Sequence, residues 1–296
     1  MLQFKTVELK DKPLLDSYLL KSDYRNCDFS FSNIFCWKER YHTTYGIVNG
    51  FLVIRFVVVD DQKPCYIMPL GTGDLTGVLE ILMADAEENG FPFRLMSITD
   101  DMFALLEKAV PDTFEFIPMR GGSDYVYLTE DLIHLAGKKY QSKRNHINRF
   151  KIDYPDFEFV PITKELIPAC LEMQKQWCIE NDCTDSDMLH SEAHAVRTAL
   201  NNYEDLQLRG GVIKIDGKLT AFSFGQAIGQ DTFGVHVEKA LNGVYAIINQ
   251  QIAEHVACNY KYMNREEDLD LESLRKAKMS YHPAILLEKG LVQVKS

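Results

Sequence analysis

The sequence predicts two tandem domains of mixed α/β (α+β) architecture, each built on a central mixed sheet. Two observations indicate this fold class. The chain has 296 residues, which suits two domains of roughly 150 residues each. The same order of strands and helices also occurs twice along the chain. We place the domains at residues 1–130 and 153–296, with residues 131–152 between them as a basic linker helix.

The first half reads as a strand, two helices, three strands, and then helices alternating with strands. Asn49-Gly50 between two β-rich runs is a strong hairpin signal. Asp74 suits the N-cap of the amphipathic helix that follows. The predicted elements are Phe4–Leu9, Lys12–Leu20, Ser30–Arg40, Thr43–Val48, Phe51–Val59, Cys65–Leu70, Asp74–Asn89, Phe93–Ile98, Asp100–Ala109 and Tyr125–Leu128.

The second half repeats that order, and Asp216-Gly217 gives it a matching hairpin turn. The order is that of the GNAT (acyl-CoA N-acyltransferase-like) fold, so we predict a tandem GNAT duplication, although no repeat is visible residue by residue. The predicted elements are Phe157–Pro161, Lys164–Glu180, Asp187–Asn201, Gly211–Ile215, Leu219–Ile228, Thr232–Glu238, Val244–Cys258, Tyr260–Met263, Leu271–Lys278 and the closing strands within Ala284–Val294.

The linker carries a dense basic cluster in a chain whose net charge is −11. Its helical core is predicted over Leu135–Lys151, with Pro155 ending it. Grouped cations favour phosphates because their fields add on one anion. The alternative is a solvated face that balances acidic neighbours. The candidate phosphate- or RNA-binding residues are Lys138, Lys139, Lys143, Arg144 and Arg149.

A second charged cluster follows the predicted strand Tyr260–Met263. Ligands of open α/β sheets commonly bind at strand ends, and mixed charges there suit a zwitterionic or phosphorylated substrate. The alternative is an ordinary charged loop. The candidate substrate-binding residues are Asn264, Arg265, Lys276 and Lys278.

The sequence gives little support to a cofactor or a metal. Gly71 and Gly73 precede a helix, as in a CoA pyrophosphate loop, but Met68 stands where Arg or Gln is expected, and the equivalent segment 238–244 lacks the pattern too. We therefore expect no cofactor and only weak binding of acetyl-CoA. His190 and His194 do not form a zinc-protease motif, and no metal site is predicted.

The segments Gly137–Phe150, Asn264–Asp268 and Leu274–Lys278 resemble the family of the phosphatidylglycerol lysyltransferase C-terminal domain, in its soluble homologues. That family is similar to the Fem-type peptidoglycan aminoacyltransferases. The resemblance implies a bacterial protein with tandem GNAT folds that takes an amino acid from a charged tRNA. The multi-helix membrane domain of the lysyltransferases has no counterpart in this chain, so a lipid acceptor is not implied.

The order of elements predicts an acyltransferase, and the resemblance implies that it moves an aminoacyl group from aminoacyl-tRNA to an amine or hydroxyl of a small-molecule or peptide acceptor. Such a reaction needs a proton acceptor and a stabilised oxyanion, and the catalytic candidates are Glu238, Asp268 and Tyr281. Two alternatives stay open: a CoA-dependent N-acetyltransferase, and a non-catalytic tandem-GNAT module that binds a small molecule or RNA.

The expected location is the cytoplasm. The longest apolar stretch, Phe51–Val59, is interrupted by Arg55 and falls well short of the roughly 20 residues needed to span a bilayer. The segment Met1–Lys10 has no apolar region typical of a signal peptide. The seven cysteines include no C-x-x-C pair, which favours free thiols.

Overall fold

The computed structural model describes residues 2–295 except 182, 184, 185 and 242. It contains two seven-stranded mixed sheets with helices packed against them, which confirms the predicted fold class. The elements of the first half are β1 (Lys5–Thr6), α1 (Lys12–Leu19), α2 (Phe31–Cys36), α3 (Lys38–Tyr41), β2 (Thr44–Val48), β3 (Phe51–Val57), β4 (Pro64–Tyr66), α4 (Leu75–Glu88), β5 (Arg94–Ile98), α5 (Asp100–Ala109), β6 (Phe114–Pro118), β7 (Asp124–Leu128) and α6 (Thr129–His134).

The second half follows the same plan. Its elements are α7 (Gln141–Asp153), β8 (Glu158–Pro161), α8 (Ile167–Glu180), α9 (Asp187–Asn201), β9 (Arg209–Ile215), β10 (Lys218–Ile228), β11 (Thr232–Ala240), α10 (Tyr245–His255), β12 (Tyr262–Asn264), α11 (Glu272–Met279), β13 (Ile285–Leu287) and β14 (Gly290–Val294).

Apart from shifts at element ends, two predicted helices differ from the structure and one strand was not predicted. The helix predicted over Ser30–Arg40 is interrupted at Trp37, which separates α2 from α3. The linker helix starts as α7 only at Gln141, because Leu135 and Gly137 adopt left-handed backbone angles (φ 47° and 84°) that no α-helix continues through. Strand β6 was not predicted, since its five residues lie on a sheet edge and are partly exposed.

The two sheets exchange one strand each. The first sheet has the order β1-β2-β3-β4-β5-β14-β6, and the second has the order β8-β9-β10-β11-β12-β7-β13. In the first sheet the sixth strand is β14, the last strand of the chain. In the second sheet the sixth strand is β7, which belongs to the first half of the chain. Both sheets contain strands from either side of the predicted linker, so neither sheet is formed by residues 1–130 or 153–296 alone.

Among the described residues, each sheet has one pair of parallel neighbours, and that pair is joined over a short distance. β11 and β12 pair through Thr232–Gly234 and Tyr262–Asn264, although β11 continues to Ala240. β4 and β5 pair through one residue pair, Tyr66 and Leu95. Beyond these pairs no backbone pairing joins the parallel strands, so a gap lies between the C-terminal end of β11 and the segment after β12.

Strand β11 contributes to both hydrophobic cores because it contains a bulge. Val235 pairs with Gly225 and Val237 with Phe224, so His236 has no partner in the register. Val235 consequently packs in the second core while Val237 packs in the first. A bulge redirects the side chains of one strand in this way. The first core also includes Phe222 and Phe224 of the second sheet, so it joins the two sheets.

A buried ion cluster fixes the two chain crossings. Lys289 lies between β13 and β14, where the chain enters the first sheet, and Asp124 begins β7, where the chain enters the second. Their Nζ and Oδ1 atoms are 2.8 Å apart, and both residues are at most 2% exposed. Lys289 also contacts Asp28 (2.8 Å) and Glu267 (2.7 Å). Asp124 in turn accepts hydrogen bonds from the Cys27 backbone and Asn264. One ammonium group therefore joins four separate segments of the chain.

We predict that Lys289→Met strongly destabilises the protein. The substitution leaves three carboxylates without their shared cation, and removing one partner of a buried ion pair costs about 3–5 kcal/mol. Urea denaturation should measure this loss in the free energy of unfolding. Lys295→Met, which changes an exposed lysine six positions further on, is the matched control and should cost under about 0.5 kcal/mol. Equal effects of the two substitutions would contradict the structural role of the cluster.

Candidate functional site

The opening between β11 and β12 holds a buried ion pair. Glu238 comes from the diverging end of β11, and Arg265 follows the last residue of β12. Arg265 Nη2 donates to Glu238 Oε1 at 2.9 Å, and the two side chains are 13% and 12% exposed. Asn249 of α10 donates to the other oxygen of Glu238 at 3.3 Å. The pair therefore bridges the gap between the separated strands.

Two tyrosines form the walls around this pair. The guanidinium carbon of Arg265 lies 5.0 Å from the ring centre of Tyr281 and 5.8 Å from that of Tyr127. Tyr127 donates its hydroxyl proton to the backbone oxygen of Lys278 at 2.8 Å. Burial raises the pKa of Tyr281 to about 12. The phenol of Tyr281 is therefore neutral near pH 7 and can donate a proton in a hydrogen bond.

Lys143 adds a second cation to the same place. It reaches from α7 so that its Nζ lies 4.0 Å from the ring centre of Tyr281. Burial, and then the charge of Arg265, lower the pKa of Lys143. Among the residues that the structure describes, no carboxylate lies within ion-pair distance of Lys143, and Arg265 Nη1 is buried without a hydrogen-bond partner. These two groups suit a bound anion or oxyanion.

Two other predicted substrate-binding residues hold the loop that positions Arg265. Asn264 is fully buried and donates to the backbone oxygen of Arg25 at 2.7 Å and to Asp124 at 2.8 Å. Lys278 donates to the backbone oxygens of Arg265, at 2.6 Å, and of Glu267. Because their polar groups are used within the protein, the structure gives both residues a positioning role. Lys276 lies apart from them, in an exposed ion pair with Glu272.

Asp268, a predicted catalytic residue, lies in a separate network. Its carboxylate contacts Arg120 at 3.1 Å, Tyr125 at 2.5 Å and Arg275 at 2.8 Å, and the side chain is fully buried. Burial works in the opposite direction, but the hydrogen bonds from Arg275 and Tyr125 hold the pKa of Asp268 well below its usual range. A carboxylate with so low a pKa is a poor proton acceptor near pH 7, and here it anchors α11.

The remaining cations of the basic cluster have other partners or are exposed. Lys139 pairs with Asp131 at 3.5 Å and Arg149 with Asp153 at 2.8 Å. Arg144 donates to the backbone oxygens of Leu135 and Gly137, the latter at 2.7 Å, and so stabilises the turn before α7. Lys138 is exposed. The structure therefore brings Lys143 to the ion pair and leaves the other four on the surface.

A chain of polar contacts that the sequence did not reveal lies at the β11 bulge. His236 Nε2 is 3.0 Å from Ser30 Oγ, and His236 Nδ1 is 2.8 Å from Glu266 Oε1. The order resembles a serine-hydrolase triad, but Ser30 is fully buried and no acyl donor could reach it. Asn33 also donates to Glu266 at 2.8 Å. These contacts therefore fix the position of Glu266, and with it the backbone segment after Arg265. Ser30 and His236 are 206 positions apart in the sequence, and His236 and Glu266 are 30 positions apart. Their spacing therefore gave no signal that they meet.

The ion cluster around Lys289 resembles a metal site in composition only. Cys27, Asp28 and Glu267 place ligand atoms within 4.8 Å of one another. The ammonium of Lys289 lies among them, 3.7 Å from the Cys27 sulfur. Because a cation of the protein already lies among these groups, we assign them no metal. Burial raises the pKa of Glu267 to about 7; Lys289 opposes this shift and Asp124 adds to it.

The glycines of the Gly71–Asp74 junction, at which CoA binding was not favoured, have a structural explanation. A Cβ at Gly71 would lie 2.7 Å from Phe51 and 2.8 Å from the backbone oxygen of Gly50, so the glycine permits close packing on the β2–β3 hairpin. The Asp74 side chain accepts from the backbone N–H of Gly77 and caps α4. In the second junction, residue 242 lies outside the described residues.

The splayed parallel strands in two sheets of equivalent order define a tandem GNAT-like fold of the acyltransferase type. A family model described as "Phosphatidylglycerol lysyltransferase, C-terminal" matches residues 21–291. The chain therefore belongs to that family. This confirms the resemblance seen in the sequence and supports an acyltransferase of the GNAT-like type.

Solved structures agree with this assignment. A conserved protein of unknown function from Bacteroides thetaiotaomicron VPI-5482 is 44% identical, with 100% of both chains covered and a TM-score of 0.95. The C-terminal domain of a protein described as a lysylphosphatidylglycerol synthetase from Agrobacterium fabrum is 12% identical, covers 97% of this chain and 91% of its own, and has a TM-score of 0.66. FemX is 9% identical, with 97% and 96% coverage and a TM-score of 0.56. The last two show the fold alone.

One curated relative also matches. An uncharacterised protein from Mycoplasmoides gallisepticum is 25% identical over 175 residues, which is 58% of this chain and 56% of that protein. The match thus spans little more than half of the relative's length. None of the described helices is both long enough and apolar enough to cross a membrane.

We predict a specific pH dependence for Glu267→Gln. A folded-state pKa of about 7, against the ordinary glutamate value of 4.5, means that the native state binds this proton more tightly than the unfolded state. The free energy of unfolding therefore falls as the pH rises from 4.5 to 7. The glutamine variant lacks this contribution. The free energy of unfolding of the variant minus that of the wild type should therefore be larger at pH 8 than at pH 5, by roughly 1–3 kcal/mol.

Urea denaturation of both proteins at several pH values between 5 and 8 measures this difference. Glu288→Gln, next to Lys289 in the sequence and with an exposed side chain, is the control and should show no such trend. A wild-type-to-Glu267→Gln difference that stays constant with pH would contradict the assignment.

Proposed function

We propose that this protein transfers an aminoacyl group from aminoacyl-tRNA to an amine or hydroxyl of a small-molecule or peptide acceptor. The observation that carries the proposal is the buried Arg265 with its unpartnered Nη1, beside Lys143 and the neutral phenol of Tyr281. Preorganised donors in a place shielded from water stabilise the oxyanion of acyl transfer. The family assignment supports the same class of reaction.

The proposed reaction joins the acceptor to the acyl carbon and breaks the ester bond to the tRNA. As the acceptor attacks, the carbonyl oxygen becomes an oxyanion, which Arg265 and Tyr281 stabilise by donating hydrogen bonds. Glu238 orients Arg265 and takes the proton of the acceptor. That proton passes to the ribose oxygen as it leaves. Lys143 holds the phosphate nearest the ester, where its charge also favours the leaving group.

The surface of α7 supports a nucleic-acid donor. Lys138, His146 and Lys151 are exposed around the helix whose inward side carries Lys143. A phosphate backbone that follows this surface would bring its end toward Arg265. The acidic net charge of −11 confines such binding to this face, because the rest of an acidic surface repels nucleic acid.

We predict that Arg265→Gln lowers the transfer rate about 100-fold, since losing one oxyanion donor costs roughly 10²–10³ in rate. The rate is measured as the loss of labelled amino acids from a mixture of charged tRNAs, with hydroxylamine as the amine acceptor and the uncatalysed rate subtracted. Arg265→Lys keeps the charge but provides fewer donors, and its rate should fall between those of the wild type and Arg265→Gln. Failure of the wild type to accelerate the loss from any charged tRNA would overturn the proposal.

A binding experiment tests the role of Lys143 separately. Lys143→Ala should weaken tRNA binding and reduce the slope of log affinity against log salt by roughly 0.7–0.9. Lys218→Ala removes the same charge from the exposed β9–β10 hairpin and should leave the slope unchanged. Equal effects would show that only overall charge matters. Micromolar binding of acetyl-CoA with acetyl transfer would favour the N-acetyltransferase alternative, and salt-sensitive tRNA binding without transfer would favour a non-catalytic module.

A further inference from the structure

A separate cavity opens on the first sheet, away from the site described above. Its volume is about 460 Å³, within the usual range for small-molecule pockets. It lies where β2, β3 and the start of β4 meet the end of α4. The lining residues are His42, Thr44, Arg55, Phe56, Val57, Gln62, Lys63, Pro64, Asn89, Gly90 and Phe91. The Arg265 site shares none of them.

The cavity is basic in an acidic protein. Arg55 and Lys63 contribute two positive charges. The described lining contains no aspartate or glutamate, whereas the chain as a whole has a net charge of −11. Low-dielectric walls concentrate the field of such a cluster within the cavity.

Arg55 and Lys63 can each still bind an anionic ligand. Arg55 is 3.7 Å from Asp85 and stacks on Phe4 at 4.0 Å, which holds the guanidinium in place without a close bidentate ion pair. The backbone of Lys63 is fixed by Asp61 and Arg94. In the described part of the chain its ammonium has no carboxylate within ion-pair distance. Asp61 is instead paired with Arg94 at 2.6 Å.

The remaining wall combines polar and apolar side chains. Phe91 offers ring surface, while Thr44, Gln62 and Asn89 offer hydrogen-bonding groups. Phe91 also packs against the buried Tyr66 (6.3 Å between ring centres), so the aromatic wall is held by the structure and suits a flat or apolar part of a ligand. The ring of Phe56, the residue after Arg55, points to the opposite face of the sheet and packs edge-on against Tyr41.

We propose that this cavity binds a small organic anion whose phosphate or carboxylate group contacts Arg55 and Lys63 and whose flat part lies against Phe91. This inference does not depend on the proposed transfer reaction. The cavity lies at the C-terminal end of α4 and thus at the opposite end of that helix from the Gly71–Asp74 junction. The ligand is accordingly distinct from a CoA pyrophosphate bound at that junction.

Calorimetry with three matched probes tests the proposal. Phenyl phosphate and benzoate carry the same ring with different anionic groups, and benzyl alcohol carries the ring without a charge. At least one of the anions should bind with a Kd of roughly 1 mM or tighter, and the alcohol should bind at least tenfold more weakly. The stronger of the two anions identifies the natural group as a phosphate or a carboxylate. If neither anion binds below roughly 10 mM, or if the alcohol binds equally well, the proposal is wrong.

Variants locate the binding. Lys63→Gln should weaken binding of the anion about tenfold, as expected for the loss of one charge-assisted contact. Lys218→Gln removes an equally exposed lysine from the second sheet and should leave binding unchanged. Arg55→Gln should abolish measurable binding, and Arg55→Lys should retain part of it. Equal weakening by Lys63→Gln and Lys218→Gln would place the binding elsewhere and overturn the inference, even if an Arg55 variant fails to fold.

Discussion

The ammonium group of Lys289 is the contact on which the rest of the architecture depends. Each sheet takes its sixth strand from the other half of the chain, so both crossings must be held at the same point. Lys289 and Asp124 meet there, with Asp28 and Glu267 as further partners. Three carboxylates around one ammonium are an expensive arrangement to bury. It is compensated by the number of segments that the cluster joins and by the hydrogen bonds that satisfy Asp124.

The geometry of the Arg265 site follows from that cluster. Arg265 lies between Asn264, which is bonded to Asp124, and Glu267, which is bonded to Lys289. Lys278 holds the backbone oxygens of the same segment. The guanidinium can therefore extend into the gap between β11 and β12 from a rigid backbone. A buried cation with an unpartnered donor needs such support, because a mobile loop would let it turn toward water.

Local signals in the sequence predicted most elements but not their assembly. The Asn49-Gly50 and Asp216-Gly217 turns each join two paired strands, because a two-residue turn determines its own hairpin. The strand exchange could not be predicted, since β7 and β14 have five residues each and no turn specifies their partners. For the same reason the sequence grouped Arg265 with Asp268: both follow β12, but Asp268 turns to Arg120 and Arg275, whose proximity depends on the fold.

The basic linker shows which signal could have separated one lysine from its neighbours. Tyr140, Lys143, Ile147 and Phe150 recur at the three- and four-residue spacing of one helix face, and Tyr140 and Ile147 are buried. Lys143 therefore follows the apolar stripe inward to Tyr281, while Lys138 and Arg149 fall outside it and stay exposed. A count of basic residues treats all of them alike. Their position relative to the stripe divides them into one desolvated lysine, whose charge acts at the Arg265 site, and a solvated face that can contact only an extended polyanion.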